Sequence, residues 1–408
     1  MLNKLINTHL GIISDLEIPN FHRFLFNKVE WNSKALAIIG ARGTGKTTML
    51  LQHYKENFND PNKCLYILGD DGDVLNTKIS IIAKEFYLKG GQVLIIDEVH
   101  KYPNWNQEIK NIYDKLPKLQ LIISGSSNIN IIKEKYDLSR RLATYHLPGL
   151  SFREYINLEL NLKFESYTIK KILDNHLQIS QEIKTKIAKK NNFKILQLFN
   201  NYLKHGYYPY YREGLTTFFS KLQNSLDKIL YEDIPASFNV NTTSIVNLKK
   251  LLYLIGASHP FTVEIASIAK TLGTSRNSVY EYLDYLTRAE LLISAHASGG
   301  AAKTVRKPAK LYLNNSNLYY GIGKTMAFEN KIGTIRETFA FNQLTNNYQI
   351  SVPNKTDILV DNTYYFEIGG SNKDFSQLRD LKKSYILSDN IEFGYEKRLP
   401  LYLLGFLY

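Results

Sequence analysis

Continuous apolar runs of four or five residues, each closed by polar or small ones, recur through the first third of the chain. Leu36-Ala-Ile-Ile, Cys64-Leu-Tyr-Ile-Leu68, Val93-Leu-Ile-Ile and Leu119-Gln-Leu-Ile-Ile do not alternate in polarity. They therefore predict strands buried on both faces of a parallel sheet, with helices between them. A further short strand is expected at Tyr145-His-Leu. Beyond residue 160 helical spacings take over. Val279, Leu283 and Leu286 fall on one face of a segment running from Thr274 to Ala289. Val263–Gly273, just before it, is a shorter amphipathic helix ended by glycine, and the pair predicts a helix-turn-helix. Strand Leu291-Leu-Ile-Ser, a Gly-Gly turn and a second strand at Leu311-Tyr-Leu add a β-wing. Arg336–Leu344 predicts a helix, and Thr356–Val360 with Thr363–Gly369 a hairpin about Asp361-Asn362. The apolar stretch Leu399–Tyr408 reads as a buried strand.

The first run feeds into Gly40-Ala41-Arg42-Gly43-Thr44-Gly45-Lys46-Thr47-Thr48, a G-x-x-x-x-G-K-T loop opening a helix. Gly40 and Gly45 allow a tight turn, so that consecutive N–H groups can point at phosphate oxygens at a helix N-terminus. Lys46 is expected to reach the β- and γ-phosphates of a nucleoside triphosphate and the Thr47 hydroxyl to hold Mg²⁺. The third run ends in Asp97-Glu98. Asp97 would hold the Mg²⁺ shell and Glu98 would orient and deprotonate the attacking water, so the adjacent pair argues for hydrolysis. Ser124-Gly-Ser-Ser127 places hydroxyls, Ser126 among them, where a γ-phosphate sensor would sit.

Asp97-Glu-Val-His100-Lys-Tyr-Pro103-Asn-Trp105, the Ser124 tetrad, Leu138-Ser-Arg-Arg and Leu150-Ser-Phe-Arg-Glu-Tyr155 together resemble one group of prokaryotic AAA+ ATPases. In that group an ATPase module precedes a winged helix and a nuclease-like domain of unknown function. Asn201–Tyr211 is similar to the family's middle segment. The resemblance implies ATP as the nucleotide, an ATPase activity, and an arginine finger at Arg140 or Arg141 acting on a neighbouring copy in a homo-oligomer. A solvated helix end would use the same two arginines.

Composition adds a location and a charge asymmetry. The single cysteine, Cys64, excludes an internal disulfide framework and fits a reducing, cytoplasmic setting. No run approaches the roughly 18 apolar residues of a membrane span, and no signal peptide is expected. Residues 161–240 carry twelve Lys and Arg against seven Asp and Glu, and residues 241–315 nine against four, so the middle of the chain holds most of the formal charge of +13. Over 161–240 Lys170, Lys171, Lys184, Lys186, Lys189 and Lys190 lie at helical spacings, as on a solvated face. In the wing, Lys303, Arg306, Lys307 and Lys310 come without an acid and could hold duplex DNA by its phosphates, with Arg276 and Asn277 at the start of the second helix entering a groove. Glu281 and Asp284 on that helix oppose insertion. A winged helix packed as a conformational relay, as in STAND-type switches, is the alternative.

At the far end Asp357 and Glu367 resemble the acids of a PD-(D/E)xK nuclease, but Gly369 stands at the lysine position. Lys373 could replace that lysine only if the intervening turn folds back. The resemblance implies a nuclease-like fold and no nuclease activity. The expected fold class is α/β: a P-loop, AAA+-type ATPase domain with helices on both faces of a parallel sheet over 1–160, a basic helical connector over 161–240, a winged helix-turn-helix over 241–315 and a small α/β, degenerate PD-(D/E)xK-like domain over 316–408.

Overall fold

A computed structural model describes residues 1–408 except 16, 18, 126–137, 139, 191–192, 239, 259–260, 263, 300–307 and 324–330. The chain divides into two units, Met1–Gly149 and Leu150–Tyr408. The first unit is built on β1 (Ala35–Ile39), β2 (Cys64–Leu68), β3 (Val93–Asp97), β4 (Gln120–Gly125) and β5 (Ala143–His146). They form one parallel sheet in the order β2-β3-β4-β1-β5. Both faces are buried, as the continuous apolar runs require. Along β1, Leu36 and Ile38 enter one core while Ala35, Ala37 and Ile39 enter the other. The registers align Leu68 with Asp97 and Ile39 with Gly125, so the polar residues that close each run gather at one edge of the sheet.

An N-terminal helix, Leu2–Ser14, was not expected from the polarity pattern. It covers the outer strand β2, whose Tyr66 N–H would otherwise be an open sheet edge. His9, fully buried on this helix, accepts that hydrogen bond on Nδ1 at 2.8 Å and packs edge-on to Tyr54. Burial holds the His9 imidazole down to about 4 and that of His53, stacked on Trp31, also down to about 4.

The second unit opens on helix Phe152–Leu160, and the structure explains its motif. Ser151 and Glu154 form a reciprocal capping box, Arg153 donates to the Phe164 and Tyr408 carbonyls, and the Phe152 ring meets Phe199, Tyr202, Tyr402 and Phe406. Helices Ile169–Ala188, Ile195–Asn201 and Leu215–Lys228 follow. Asn317 donates to the carbonyls of Tyr202 and Leu203 and accepts from Tyr207 N–H, satisfying the wide turn at Tyr202–Gly206.

Next come helix Thr242–Ala257, β6 (Phe261–Thr262), helices Ile265–Leu272 and Arg276–Arg288, β7 (Leu292–Ala295) and β8 (Lys310–Leu313). The three strands pair antiparallel in the order β6-β8-β7. Gly273 turns between the two helices at φ +63°, and Ser275 caps the second. The last sheet combines β9 (Ile350–Ser351), β10 (Ile358–Val360), β11 (Tyr364–Gly369), β12 (Ser384–Ser388) and β13 (Arg398–Pro400). The first three run antiparallel and β11, β12 and β13 parallel, and helix Ile332–Thr345 is buried along most of its length. Asp361 and Asn362 both adopt positive φ within the three-residue link between the paired Val360 and Tyr364.

The expected strand over Leu399–Tyr408 is corrected. Only Arg398–Pro400 pairs as a strand, and Leu401–Phe406 winds into a 3₁₀ helix with every residue buried. A strand would turn alternate side chains to opposite faces, whereas this segment is enclosed all round. A Cβ on Gly405 would lie 2.3 Å from the Phe152 Cβ. Among the described residues no helix is long and apolar enough to cross a membrane.

Because His9 and His53 are held neutral in the fold, the unfolded chain binds protons that the folded chain does not. Their contribution is complete above the free histidine value of 6.5 and falls as pH drops toward 4. Thermal unfolding of the protein at a series of pH values should therefore show a midpoint that declines between pH 7.5 and 5. His9→Gln should lessen that slope. A flat profile for the wild type contradicts the assignment.

Candidate functional site

The loop after β1 is shaped by its glycines. Gly43 and Gly45 have φ of +81° and +95°, and a Cβ on Gly40 would meet the Leu147 carbonyl oxygen at 2.2 Å. Gly45 is the N-cap of helix Lys46–Asn57 and brings no side-chain cap, so the first N–H groups of that helix face the loop. Thr44, fully buried, donates to the Ala41 carbonyl at 3.0 Å, and Lys46 turns back to the carbonyls of Gly40 (3.1 Å) and Ala41 (2.9 Å). Gly40 through Thr48 thus form a cationic cradle lined with backbone donors.

Asp97, at the end of β3 and 1% exposed, gathers the rest of the site. Its Oδ2 accepts from the Thr47 hydroxyl at 2.6 Å and from Tyr66 at 2.8 Å. Its Oδ1 accepts from the Ser124 hydroxyl and, at 3.1 Å, from Glu98 N–H. Burial, then the Asp97 charge, pushes the Tyr66 phenol far up, so it remains a donor. An alcohol and a carboxylate oxygen 2.6 Å apart are a donor set of the kind Mg²⁺ takes when phosphate oxygens complete its shell. Thr47 and Asp97 would hold the ion.

Glu98 sits at φ +53°, a left-handed conformation that turns its carboxylate away from the strand direction. Its Oε2 lies 3.7 Å from His100 Nε2 and 3.8 Å from the Lys101 ammonium, which itself pairs with Asp70. His100 is buried. Burial first, then the charges of Lys46, Lys101 and Arg42, hold its imidazole down to about 3. It faces Glu98 as a neutral ring.

The other expected residues divide. Ser126 lies outside the described residues, as do Lys303, Arg306 and Lys307. Arg140 is exposed, while Arg141 makes a two-pronged pair with Asp114 at 2.9 and 3.2 Å and is thereby held within its own unit. Arg276 and Asn277 are exposed at the start of their helix, and Asp284 beside them pairs with Arg288 at 2.9 Å. Ser124, expected as part of a sensor tetrad, lies on Asp97. Polarity did not single out Tyr66, which stands inside an apolar run, and a hydroxyl interrupting that run was the available signal.

Lys310 is corrected. Its ammonium lies between Glu337 (2.9 Å) and Asp357 (3.1 Å), so it is engaged inside the second unit and not offered to phosphates. Burial works to lower its pKa, but Glu337 and Asp357 outweigh it and raise it. Tyr312 donates to the same Glu337 oxygen at 2.5 Å. Lys373 does fold back: its side chain crosses Gly369 with Cβ 2.7 Å from where a glycine Cβ would be, and its ammonium meets Glu367 at 2.6 Å. The three carboxylates of this region are thus answered by two lysines. Among the described residues no group of three or more His, Cys, Asp or Glu side chains could hold a metal ion.

Burial, then Asp357, pushes the Glu337 carboxyl up, against the pull of Lys310. A raised carboxylate contributes stability that is complete below its free value of 4.5 and is lost as pH rises through the folded value. Removing Lys310 raises it further and enlarges the loss. Lys310→Met should destabilise the second unit by roughly 2–3 kcal/mol at pH 8, a figure lowered from that of a fully buried pair because the side chain keeps some solvent contact. The deficit should shrink at pH 5. Denaturant titrations at the two pH values check this, and an equal deficit at both would count against it.

Residues 32–156 match the family described as AAA domain, and residues 196–325 match a domain of unknown function, DUF8612. An uncharacterized protein of Methanocaldococcus jannaschii is 29% identical over 295 residues, a match spanning 69% of this chain and 61% of that protein. Among solved structures, the Walker-type ATPase PABY2304 of Pyrococcus abyssi aligns at TM-score 0.44 and 10% identity over 76% of this chain and 99% of that one. AMPPCP-bound DnaA of Aquifex aeolicus aligns at TM-score 0.24 and 15% identity, over 67% of this chain and 90% of that one. The stretch that resembles the AAA domain family, residues 32–156, is the one that carries the glycine-shaped loop, the parallel sheet and the Asp97-Glu98 strand end.

Proposed function

We propose that this chain binds MgATP through Gly40–Thr48, hydrolyses it with Glu98 as the base, and uses the cycle to change the conformation of its second unit, which acts on or with duplex DNA. The observation that carries the reading is the convergence of Thr47, Tyr66, Ser124 and Glu98 N–H on the buried Asp97 carboxylate. That arrangement supports a cation site beside the phosphate cradle, with Glu98, the next residue, handling water. Arg140, exposed where its neighbour Arg141 is held by Asp114, is the better arginine finger of the two for a neighbouring copy. The helix-strand-helix-helix-strand-strand order over 242–313 supports a winged helix there, and the α/β end with its lysine-filled carboxylates supports a nuclease-like domain without nuclease activity. A cytoplasmic location suits the buried Cys64 thiol.

A nucleotide-gated switch that binds no DNA is the competing reading. It is favoured by one observation, the pairing of Lys310 with Glu337 and Asp357, which takes one of the four wing cations away from phosphates.

Glu98→Gln should leave MgATP affinity nearly intact while lowering turnover by about 10²- to 10⁴-fold, because the base is lost and the cation ligand kept. Lys46→Ala should weaken MgATP binding itself. Equilibrium nucleotide binding and steady-state phosphate release measure the two effects, and equal turnover by wild type and Glu98→Gln removes Glu98 from its role.

Each phosphate contact made by the wing should contribute about 0.9 to the slope of log affinity for duplex DNA against log salt. Neutralising Lys303, Arg306 and Lys307 together should therefore flatten that slope by roughly 2.7, across all duplex sequences alike. Lys310→Gln should leave the slope unchanged. Titrations of labelled duplex at several salt concentrations decide between the readings, since an absence of binding at low salt favours the switch.

A further inference from the structure

Arg23 lies ahead of β1, outside every motif of the nucleotide loop, yet it is 5% exposed and both terminal nitrogens of its guanidinium donate to backbone. Nη1 donates to the Thr44 carbonyl at 2.5 Å, and Nη2 donates to the carbonyls of Pro148 at 2.6 Å and Gly149 at 3.0 Å. The first carbonyl belongs to the phosphate loop. The other two close the first unit, whose last residue is Gly149. We infer that Arg23 is a positioning residue that sets the phosphate loop and relays its occupancy to the point where the chain leaves the AAA unit.

The argument starts from the peptide plane. The Thr44–Gly45 bond is trans, like every described peptide bond here, so its C=O and N–H point in opposite directions. A cation gripping the Thr44 oxygen on the outside of the loop therefore turns the Gly45 N–H toward the inside, where phosphate oxygens would accept it. Gly45, at φ +95°, has no side chain to hold that orientation by packing. A charge-assisted hydrogen bond supplies it, and the planar fork of arginine does so while reaching two further carbonyls on its other limb.

The exit segment also touches the loop directly. Leu147 donates to the Ile39 carbonyl at 2.7 Å, and its own oxygen lies against the Cα of Gly40, at 2.2 Å from an added Cβ. Residues 147–149 are thus held from two sides, by Gly40 at the start of the loop and by Arg23, which holds Thr44 inside it. Anything that shifts or stiffens the Thr44–Gly45 peptide changes the grip of the same guanidinium on Pro148 and Gly149. Lysine would carry the charge but cannot fork to both ends.

This relay rests on the nucleotide-binding reading above, and one experiment separates their failures. Hydrogen exchange of the full chain is followed with and without MgADP, which needs binding and no hydrolysis. In the wild type, saturating MgADP should slow exchange both in residues 40–47 and at the Leu147 and Gly149 amides. In Arg23→Lys, and in Arg23→Gln as a neutral second variant, MgADP affinity should fall about tenfold, the loss expected for a charged hydrogen bond. At saturation the loop should still be protected and the exit amides should not. Loop protection in these variants also shows that the unit has folded. Exit protection in Arg23→Lys equal to the wild type overturns the relay. A wild type protected in the loop but not at the exit overturns it as well, with nucleotide binding intact. A wild type protected nowhere overturns the nucleotide-binding reading itself.

Discussion

A buried carboxylate left without donors is among the most costly groups a fold can contain. Asp97 would be such a group without its partners, and the first unit is organised around supplying them. Its donors come from four places in the sequence: Thr47 after the phosphate loop, Tyr66 on β2, Ser124 on β4 and the N–H of Glu98 at the end of β3 itself. Only a sheet with β3 between β2 and β4, and with the ends of its strands in line, brings these together. The same contacts that make the anion tolerable place a hydroxyl and a carboxylate side by side next to a cationic loop. On the proposed reading, stability of the edge and a place for the cation are one arrangement.

Around this centre the backbone is held in conformations that side chains alone would not choose. Gly43 and Gly45 take positive φ within the loop, and Glu98 takes it without being glycine. Such a residue costs about 1–3 kcal/mol unless its surroundings over-determine it. Here the hydrogen bonds of Glu98 N–H to Asp97 and Ser124 supply that determination. Buried neutral His100 and the Lys101–Asp70 pair then define the space into which the Glu98 carboxylate projects.

The second unit uses charge differently. Its basic composition suggests a solvated surface, and for Lys186 with Glu182, or Lys221 with Glu213, that is what the structure shows. Lys310 and Lys373 are another matter. Lys310 fills the space between Glu337 and Asp357, two acids remote from it in sequence that would otherwise repel one another, and Lys373 meets Glu367. Lys373 takes a position that Gly369 vacates by having no side chain. Arg336 likewise holds Asp389 at 2.8 Å with both groups largely enclosed. These pairs tie the last sheet to the helix before it and to β8.

What the sequence determined by itself was everything that depends on neighbours along the chain. The apolar runs became the parallel strands, the glycine spacing became the loop, Ser151 with Glu154 became a helix cap, and Asp361-Asn362 became a hairpin turn. Each follows from backbone sterics or side-chain periodicity over a few residues. The tertiary structure alone decided the rest. It brought His9 to the open edge of β2, Tyr66 and Ser124 to Asp97, Arg141 to Asp114, Arg23 to two separate stretches of backbone, and Lys310 to a pair of acids. It also wound the final apolar residues into a 3₁₀ helix where periodicity suggested a strand. The physical reason is common to all of these. The energy of a polar group depends on whether a partner reaches it once water is gone, and that partner is chosen by distance in space, which local sequence does not encode.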